Sequence, residues 1–380
     1  MSINQFNQLI IKIIIFCAII ASSLTTQAEN NVLQKFNCET TESLMVMDFK
    51  QVDDLLSSSV LEMGRSKRTK AARADRSIGT HLSQSINAST DNEGNRFSFE
   101  IFNSVEQITR LSDVRKFLEN VPGNASLCLF NKKEQLAYWL NLHNVALINE
   151  IVKVYPMRNL QSMLEGDVSI LIKKILTVAD VSVSLNDIRQ YILPNNYNKD
   201  PLIIYGLYSG NIGSPDILKQ AFTGKNVYPL LKTIAADFIN SNRGTSLGSG
   251  SRIRVSGYYQ RNAQYFSDFQ SDLKQHLLSY VEGDIEQDIK NATFFIPDID
   301  NWKVADLYGT TNSFGESVSS MDLALLSDSR YDSFKNPRGV FAKSLSSQQL
   351  SRLKELMQVR AKNFGSTSVT VSDIEPMEDN

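Results

Sequence analysis

Of the chain's three histidines, His143 has the setting in which an imidazole could do chemistry. It lies in KKEQLAYWLNLHNVALINEIVKVY, residues Lys132–Tyr155. On a helical wheel it falls amid Leu136, Trp139, Leu140 and Leu147, with Glu150 two turns on along the same side. An imidazole there could act as a general base at neutral pH. It could equally be a core histidine satisfied by one or two hydrogen bonds. Ser209 and Ser214 sit in YSGNIGSP, where glycines allow tight backbone turns. Such a turn can expose a hydroxyl and aim N–H groups at an oxyanion, so a nucleophilic serine paired with His143 is one reading. A glycine–serine turn with ordinary hydroxyl hydrogen bonds is the other. The spacing does not reproduce a Gly-x-Ser-x-Gly elbow.

The remaining polar residues point to structure more than to catalysis. Asn141 and Asn144 face away from His143, toward Ile148, and read as ties between the helix and neighbouring backbone. Asp187 and Arg189 read as surface or helix-end charge pairs. Tyr258, Tyr259, Tyr265, Phe266 and Phe269 follow helical spacing and read as core. The run RSKRTKAARADR, residues Arg65–Arg76, offers Arg65, Lys67, Arg68 and Lys70 to an anionic surface or polymer, or else forms a solvated face. His81, His143 and His276 lack metal-ligand spacing, and no phosphate-binding glycine fingerprint occurs, so neither a metal nor a cofactor is expected.

Several elements must position these groups. Lys132–Tyr155 is the longest run with helical spacing, apolar almost all the way round and therefore buried, and Pro156 ends it. Helices are also expected at Glu39–Ser59, Thr109–Asn120 (stopped by Val121-Pro122-Gly123), Val227–Ile239, Tyr258–Phe269, Asp272–Val281 and Ser346–Phe364. Another should begin near Ser184 or Asn186 and reach Pro194. Strands are expected at Arg96–Phe102, Thr177–Ser182, Arg252–Val255 and Thr293–Ile296, with Asp200–Ser214 strand-like as it enters the Gly/Ser turn. Asn87–Asn95 reads as a turn, Ser241–Ser251 as a flexible loop, Thr310–Gly339 as loop and Gly365–Asn380 as an acidic tail.

The 380 residues are 42% apolar and 21% charged, with a formal net charge of −2. That is ordinary globular composition, and it gives no reason to expect nucleic acid as a partner. Leu9–Ile20 is apolar apart from Lys12, and Thr26-Gln27-Ala28 resembles a small-x-small cleavage site. A secretory leader, residues 1–28, is the expectation; an uncleaved anchor is the alternative. No later run is long and apolar enough to span a membrane. Cleavage would leave Cys38 and Cys128, which could pair in an oxidising compartment or remain two buried thiols.

The motifs resemble the family catalogued as domain of unknown function 547. Tyr138-Trp139-Leu140-Asn141-Leu142-His143-Asn144 matches its aromatic-Trp-x-Asn-x-Tyr-Asn helix. Leu185 to Gln190 matches a Leu-x-x-Ile-Glu-His segment. Asp200-Pro201 through Ser214-Pro215 matches an Asp-Pro-Arg-x-His strand ending in a Cys-rich turn, and Ile299-Asp300-Asn301-Trp302 echoes an aromatic-Asp-Trp-x-x-Asn element. The resemblance covers roughly residues 107–308 and implies a mixed, helix-rich domain and exported bacterial members, with no secure activity. This chain departs from the pattern at His143 for Tyr, Arg189-Gln190 for Glu-His, Ile204 for His, and Ser209 and Ser214 for Cys.

The expected fold is α+β: a helix-rich single domain with a small, mostly antiparallel sheet around a buried central helix, 132–155. An extension, 29–106, should pack on a core at 107–308, followed by a loop-rich segment (309–345), a helix (346–364) and a disordered tail (365–380). Three functions remain open. The favoured one is a non-catalytic binding or scaffolding module of a bacterial cell envelope, periplasmic or secreted. The others are a hydrolase or acyl transferase using Ser214 or Ser209 with His143, and a peripheral membrane or partner-binding protein.

Overall fold

The computed structural model describes residues 32–39, 42–66, 68, 89–90, 93–157 and 159–307. The expected leader, Lys67, Lys70 and all segments beyond residue 307 lie outside the described residues. The fold is helix-rich α+β. Helices are labelled α1 (Lys50–Ser59), α2 (Val105–Asn124), α3 (Lys132–Val154), α4 (Val227–Ile239), α5 (Gly257–Arg261), α6 (Phe269–Leu278) and α7 (Ile285–Asn291).

Helix α3 is the axis of the core. Asn131 caps it, its side-chain oxygen accepting from the N–H groups of Lys133 and Glu134 at 3.1 and 3.0 Å. Every residue from Glu134 to Val152 is buried, as an all-round apolar helix requires. Helix α4 spans the residues its periodicity predicts, with Leu231, Ile234, Ala235 and Phe238 buried. The link between α3 and α4 depends on Gly206. A Cβ there would lie 2.7 Å from Leu140 and 2.9 Å from Leu231, so only glycine lets the two helices meet over this turn.

Elsewhere tertiary contacts override local pattern. Residues 42–49 are not helical as expected; α1 starts at Lys50, whose N–H donates to Asp48, and Leu44 is 96% exposed. Helix α2 runs through Pro122 to Asn124, because a proline in the last turn removes only one late hydrogen bond. Arg96–Phe102 is a two-residue strand followed by a 3-10 turn, Phe99–Ile101, sealed on both sides rather than half-buried. Asp200–Ser214 is not strand-like: Asp200 accepts from Leu202 N–H, Pro201 presets the backbone, and Pro201–Gly206 forms a 3-10 helix. The supposed flexible loop Ser241–Ser251 contains a strand, its entry held by the Glu93 carboxylate, which accepts from Asn242 and Arg243 N–H at 3.1 Å each.

The strands are β1 (Val60–Leu61), β2 (Arg96–Phe97), β3 (Lys174–Val178), β4 (Val181–Ser184), β5 (Thr245–Leu247), β6 (Arg252–Ser256) and β7 (Phe294–Ile299). They form three small sheets, antiparallel except for the β6–β7 pair. The predicted strand Thr177–Ser182 is the tip of a hairpin: Ala179 and Asp180 both take positive φ, a type I′ turn joining β3 to β4. Residues 301–305 then lace distant parts together. Leu160 N–H donates to Trp302 O, Gly213 N–H to Asn301 O, Ile212 N–H to Lys303 O, Phe97 N–H to Ala305 O, and Ala305 N–H to Gly210 O, all at 2.8 to 2.9 Å.

The amino-terminal part is fastened twice, to α3 and to the 3-10 turn Leu127–Leu129 that precedes it. Phe36 packs edge-on against Trp139 with ring centroids 5.1 Å apart, and Cys38 is joined to Cys128 by a disulfide. No helix among the described residues is long and apolar enough to cross a membrane.

Candidate functional site

His143 is fully enclosed at 0% exposure, and its immediate partner is Asn144 rather than a serine. The Asn144 side chain is fixed by backbone on both sides. Its Nδ2 donates to Gly206 O at 2.9 Å, and its Oδ1 accepts from Tyr208 N–H at 3.0 Å. Because a backbone carbonyl can only accept and a backbone N–H can only donate, the amide has one permitted orientation. Oδ1 therefore faces His143 Nδ1 at 2.9 Å, and Nδ1 must carry the proton. That leaves Nε2 as a bare lone pair, sealed from solvent and without a hydrogen-bond partner. The view of Asn144 as facing away from His143 is thus corrected: the i, i+1 pair meets because the amide turns toward Gly206. Asn141 binds the opposite neighbour, donating to Phe222 O at 2.8 Å and accepting from Phe222 N–H at 3.1 Å.

Burial, and then the positive charge of Arg189, push His143 down to about 3, against the opposing effect of its bond to Asn144. Arg189 is the residue that sequence reasoning misassigned. It is 5% exposed and forms no charge pair, whereas Asp187 both pairs with Lys174 at 2.8 Å and completes a capping box with Ser184. The cause is local geometry. Pro194 has no N–H and would crowd the carbonyl one turn back, and Leu193 N–H donates to Ile188 O, five residues earlier. The resulting π turn, Ile188–Ile192, carries Arg189 and turns it inward.

The surroundings of Arg189 hold no counter-ion among the described residues. Its backbone carbonyl accepts from Tyr265 Oη–H at 3.3 Å and from Gln264 Nε2–H at 3.5 Å, and its guanidinium has no hydrogen-bond or ion-pair partner among the described residues. The charged group felt most closely is another cation, Arg261, itself engaged by Asp300 at 2.9 Å and lying over the Trp302 ring at 4.4 Å. Tyr258 and Tyr265 complete the neighbourhood, and burial lowers the Arg189 guanidinium below its ordinary value. No Arg189 nitrogen is both enclosed and without a partner, so the guanidinium keeps contact with solvent.

The serines are not joined to His143. Ser214 is 1% exposed, and its Oγ–H donates to Asn211 O at 2.8 Å. Its carbonyl is gripped by Arg243, which also binds Asp216 through both terminal nitrogens at 2.9 and 3.2 Å. Ser209 is 6% exposed and makes no hydrogen bond to His143. Glu150 is held by Arg115 at 3.0 Å and Lys153 at 2.5 Å, away from His143 chemistry.

Residues 128–239 match the family model described as protein of unknown function, DUF547. No curated protein and no solved structure matches the chain. The DUF547 match includes His143, Arg189, Ser209 and Ser214 and stops before Tyr258, Arg261 and Tyr265. His143 and Arg189, two positions at which the chain departs from the DUF547 motifs, are the pair that the structure couples electrostatically. That double departure is the signal by which Arg189 could have been singled out.

A surface cleft of about 750 Å3 lies elsewhere, lined among others by Arg65, Arg68, Asp237, Asn240, Glu282 and Asp288. Arg65 faces Asp237 at 3.3 Å and Glu282 at 3.5 Å, and Arg68 donates to Thr245 O and Ile239 O at 2.7 and 3.2 Å. Among the described residues no cluster of His, Cys, Asp and Glu could hold a metal.

Proposed function

We propose that this is an exported, non-catalytic binding module of a bacterial cell envelope. The observation that carries the non-catalytic part is that His143 Nε2, the lone pair a general base would use, is enclosed with no serine hydroxyl bonded to it, while Ser214 Oγ–H donates to Asn211 O. A histidine held near 3 is also too weak a base to draw a proton from a hydroxyl at neutral pH. Export is supported by the Cys38–Cys128 bridge, since disulfides persist in oxidising compartments, and by the leader-like run at Leu9–Ile20. In this reading a leader (1–28) precedes an extension (29–106) and the core (107–308). Arg65 and Arg68, which face acidic side chains and backbone carbonyls of their own chain, are poorly disposed to serve a membrane surface.

A fluorophosphonate serine probe tests the reading directly. No labelling of Ser209 or Ser214 is expected in the folded protein; labelling of Ser214 that disappears in His143→Ala would overturn it. For the cellular part, protein recovered outside the cytoplasm is expected to begin at Glu29, and full-length protein confined to the cytoplasm would overturn export.

A further inference from the structure

We propose that the cleft between the end of α4, β5 and the start of α7 receives a small aliphatic dication, and that the Arg65 guanidinium holds part of that place in the free protein. The assignment rests on the binding-module reading and supplies its ligand class. The cleft, about 750 Å3, has the size of a small-molecule site. Its charge is lopsided: the carboxylates of Asp237, Glu282, Asp284 and Asp288 line it against the guanidinium groups of Arg65 and Arg68. Arg68 is engaged with the chain itself, donating to Thr245 O, Thr245 Oγ1 and Ile239 O at 2.7, 2.8 and 3.2 Å. Of the two, Arg65 is the one paired with these carboxylates.

The way Arg65 sits defines the ligand. Its Nε lies 3.3 Å from Asp237 on α4 and its Nη1 3.5 Å from Glu282 just before α7, while the side chain stays 70% exposed. One guanidinium therefore spans two carboxylates from separate elements. Exposed pairs of this kind are worth about 1 kcal/mol or less, so a soluble cation can displace the arm. Gly64 precedes it at a φ of +77°, with nothing within 4 Å of a Cβ position, and leaves the arm free to withdraw. Asp237 gains most from a better partner, since burial and then the charge of Asp216 hold it above its ordinary value with Arg65 already beside it. A second pair of carboxylates calls for a second charge. Asp284 stands at the N-cap of α7 without a side-chain capping bond, and Asp288 lies one turn further along the same side. The ion pair on α7, Lys290 with Glu286, involves neither. Ala236, Leu247 and Ile285 complete the lining with apolar surface, and Leu247 is 60% exposed. An aliphatic stem covers that surface while its charged ends meet the two carboxylate pairs; a bare metal ion or ammonium would leave it wet.

The test titrates the full chain at low ionic strength by calorimetry with agmatine, which joins a guanidinium and an ammonium by an aliphatic stem. Butylamine and N-acetylarginine amide are the comparison ligands, and choline chloride the salt control. Agmatine is expected to bind saturably at one site, with a dissociation constant of about 1 mM that rises with salt, and about tenfold more tightly than butylamine. Arg65→Ala should tighten agmatine binding about threefold, because the resident competitor is gone. Asp237→Asn and the exposed Asp288→Asn should each weaken it about fivefold, and NMR should place the shift changes at Leu247 and Ile285. Absence of saturable binding, Arg65→Ala binding no more tightly than the wild type, Asp288→Asn binding unchanged, or shift changes elsewhere would each overturn the assignment. N-acetylarginine amide binding more tightly than agmatine would overturn the free dication in favour of an arginine side chain of a polypeptide. Failure of the underlying reading is distinguishable: agmatine binding with Ser214 labelled by the serine probe overturns the non-catalytic reading alone, and unlabelled serines without agmatine binding overturn this assignment alone.

Discussion

One side-chain amide, that of Asn144, sets the chemistry of the buried centre. It joins α3 to the backbone at Gly206 and Tyr208 and in doing so chooses the tautomer of His143. Asn144→Ala would strand a buried carbonyl, a buried N–H and the imidazole Nδ1–H together, and a loss of about 2 to 4 kcal/mol is expected in urea unfolding. Asn144→Asp keeps the acceptor but loses the donor to Gly206 O, so it should recover only part of that loss. His143 adds a pH dependence of definite sign. Its folded value, about 3, lies below the unfolded value of a histidine, so the unfolded chain binds the proton more readily. Its contribution is therefore fully present above pH about 6.5 and falls by up to about 1.4 kcal/mol per pH unit as pH drops toward 3. Half-buried His276, lowered to about 4, acts in the same direction. Urea midpoints between pH 7.5 and 5 should decline accordingly, and His143→Phe should flatten that decline. Of this centre, His143 was legible from its place in an apolar stripe. Arg189 was not, because helical periodicity assumes a constant rotation per residue and the π turn breaks it.

At the scale of elements, long periodic segments announce themselves and short ones do not. Helices α3 and α4 follow from spacing, since each buries side chains that recur every three or four residues. The segment Pro201–Gly206 misleads because it is buried on every side, a condition that erases the difference between a strand and a 3-10 turn. Arg96–Phe102 misleads for the same reason: its alternation does not divide an inside from an outside. What places Pro201–Gly206 is contact with α3 and α4, which no local window contains. Gly206→Ala tests that contact. Its new methyl would press into Leu140 and Leu231, with an expected destabilisation of about 1 to 3 kcal/mol and no change in circular-dichroism helicity. A larger loss of helix signal would mean that the turn positions α4 instead of merely touching it.

Across the whole molecule, the Cys38–Cys128 bridge closes a loop of sequence separation 90 between the amino-terminal segment and the 3-10 turn just before α3. By the chain-entropy relation such a closure stabilises by about 4 to 5 kcal/mol, so unfolding with and without dithiothreitol should differ by up to that amount. A difference near zero would mean that Phe36 on Trp139 and the neighbouring contacts hold the segment unaided.

The lacing by residues 301–305 has a consequence in time. A ribosome delivers the chain amino end first, so the acceptors for Leu160, Gly213, Ile212 and Phe97 N–H are among the last described residues to emerge. Until they do, four backbone donors from three distant regions lack their partners. Closure of these seams therefore waits for a late fastening step, and a nascent chain arrested before Asn301 should remain sensitive to protease along all three at once.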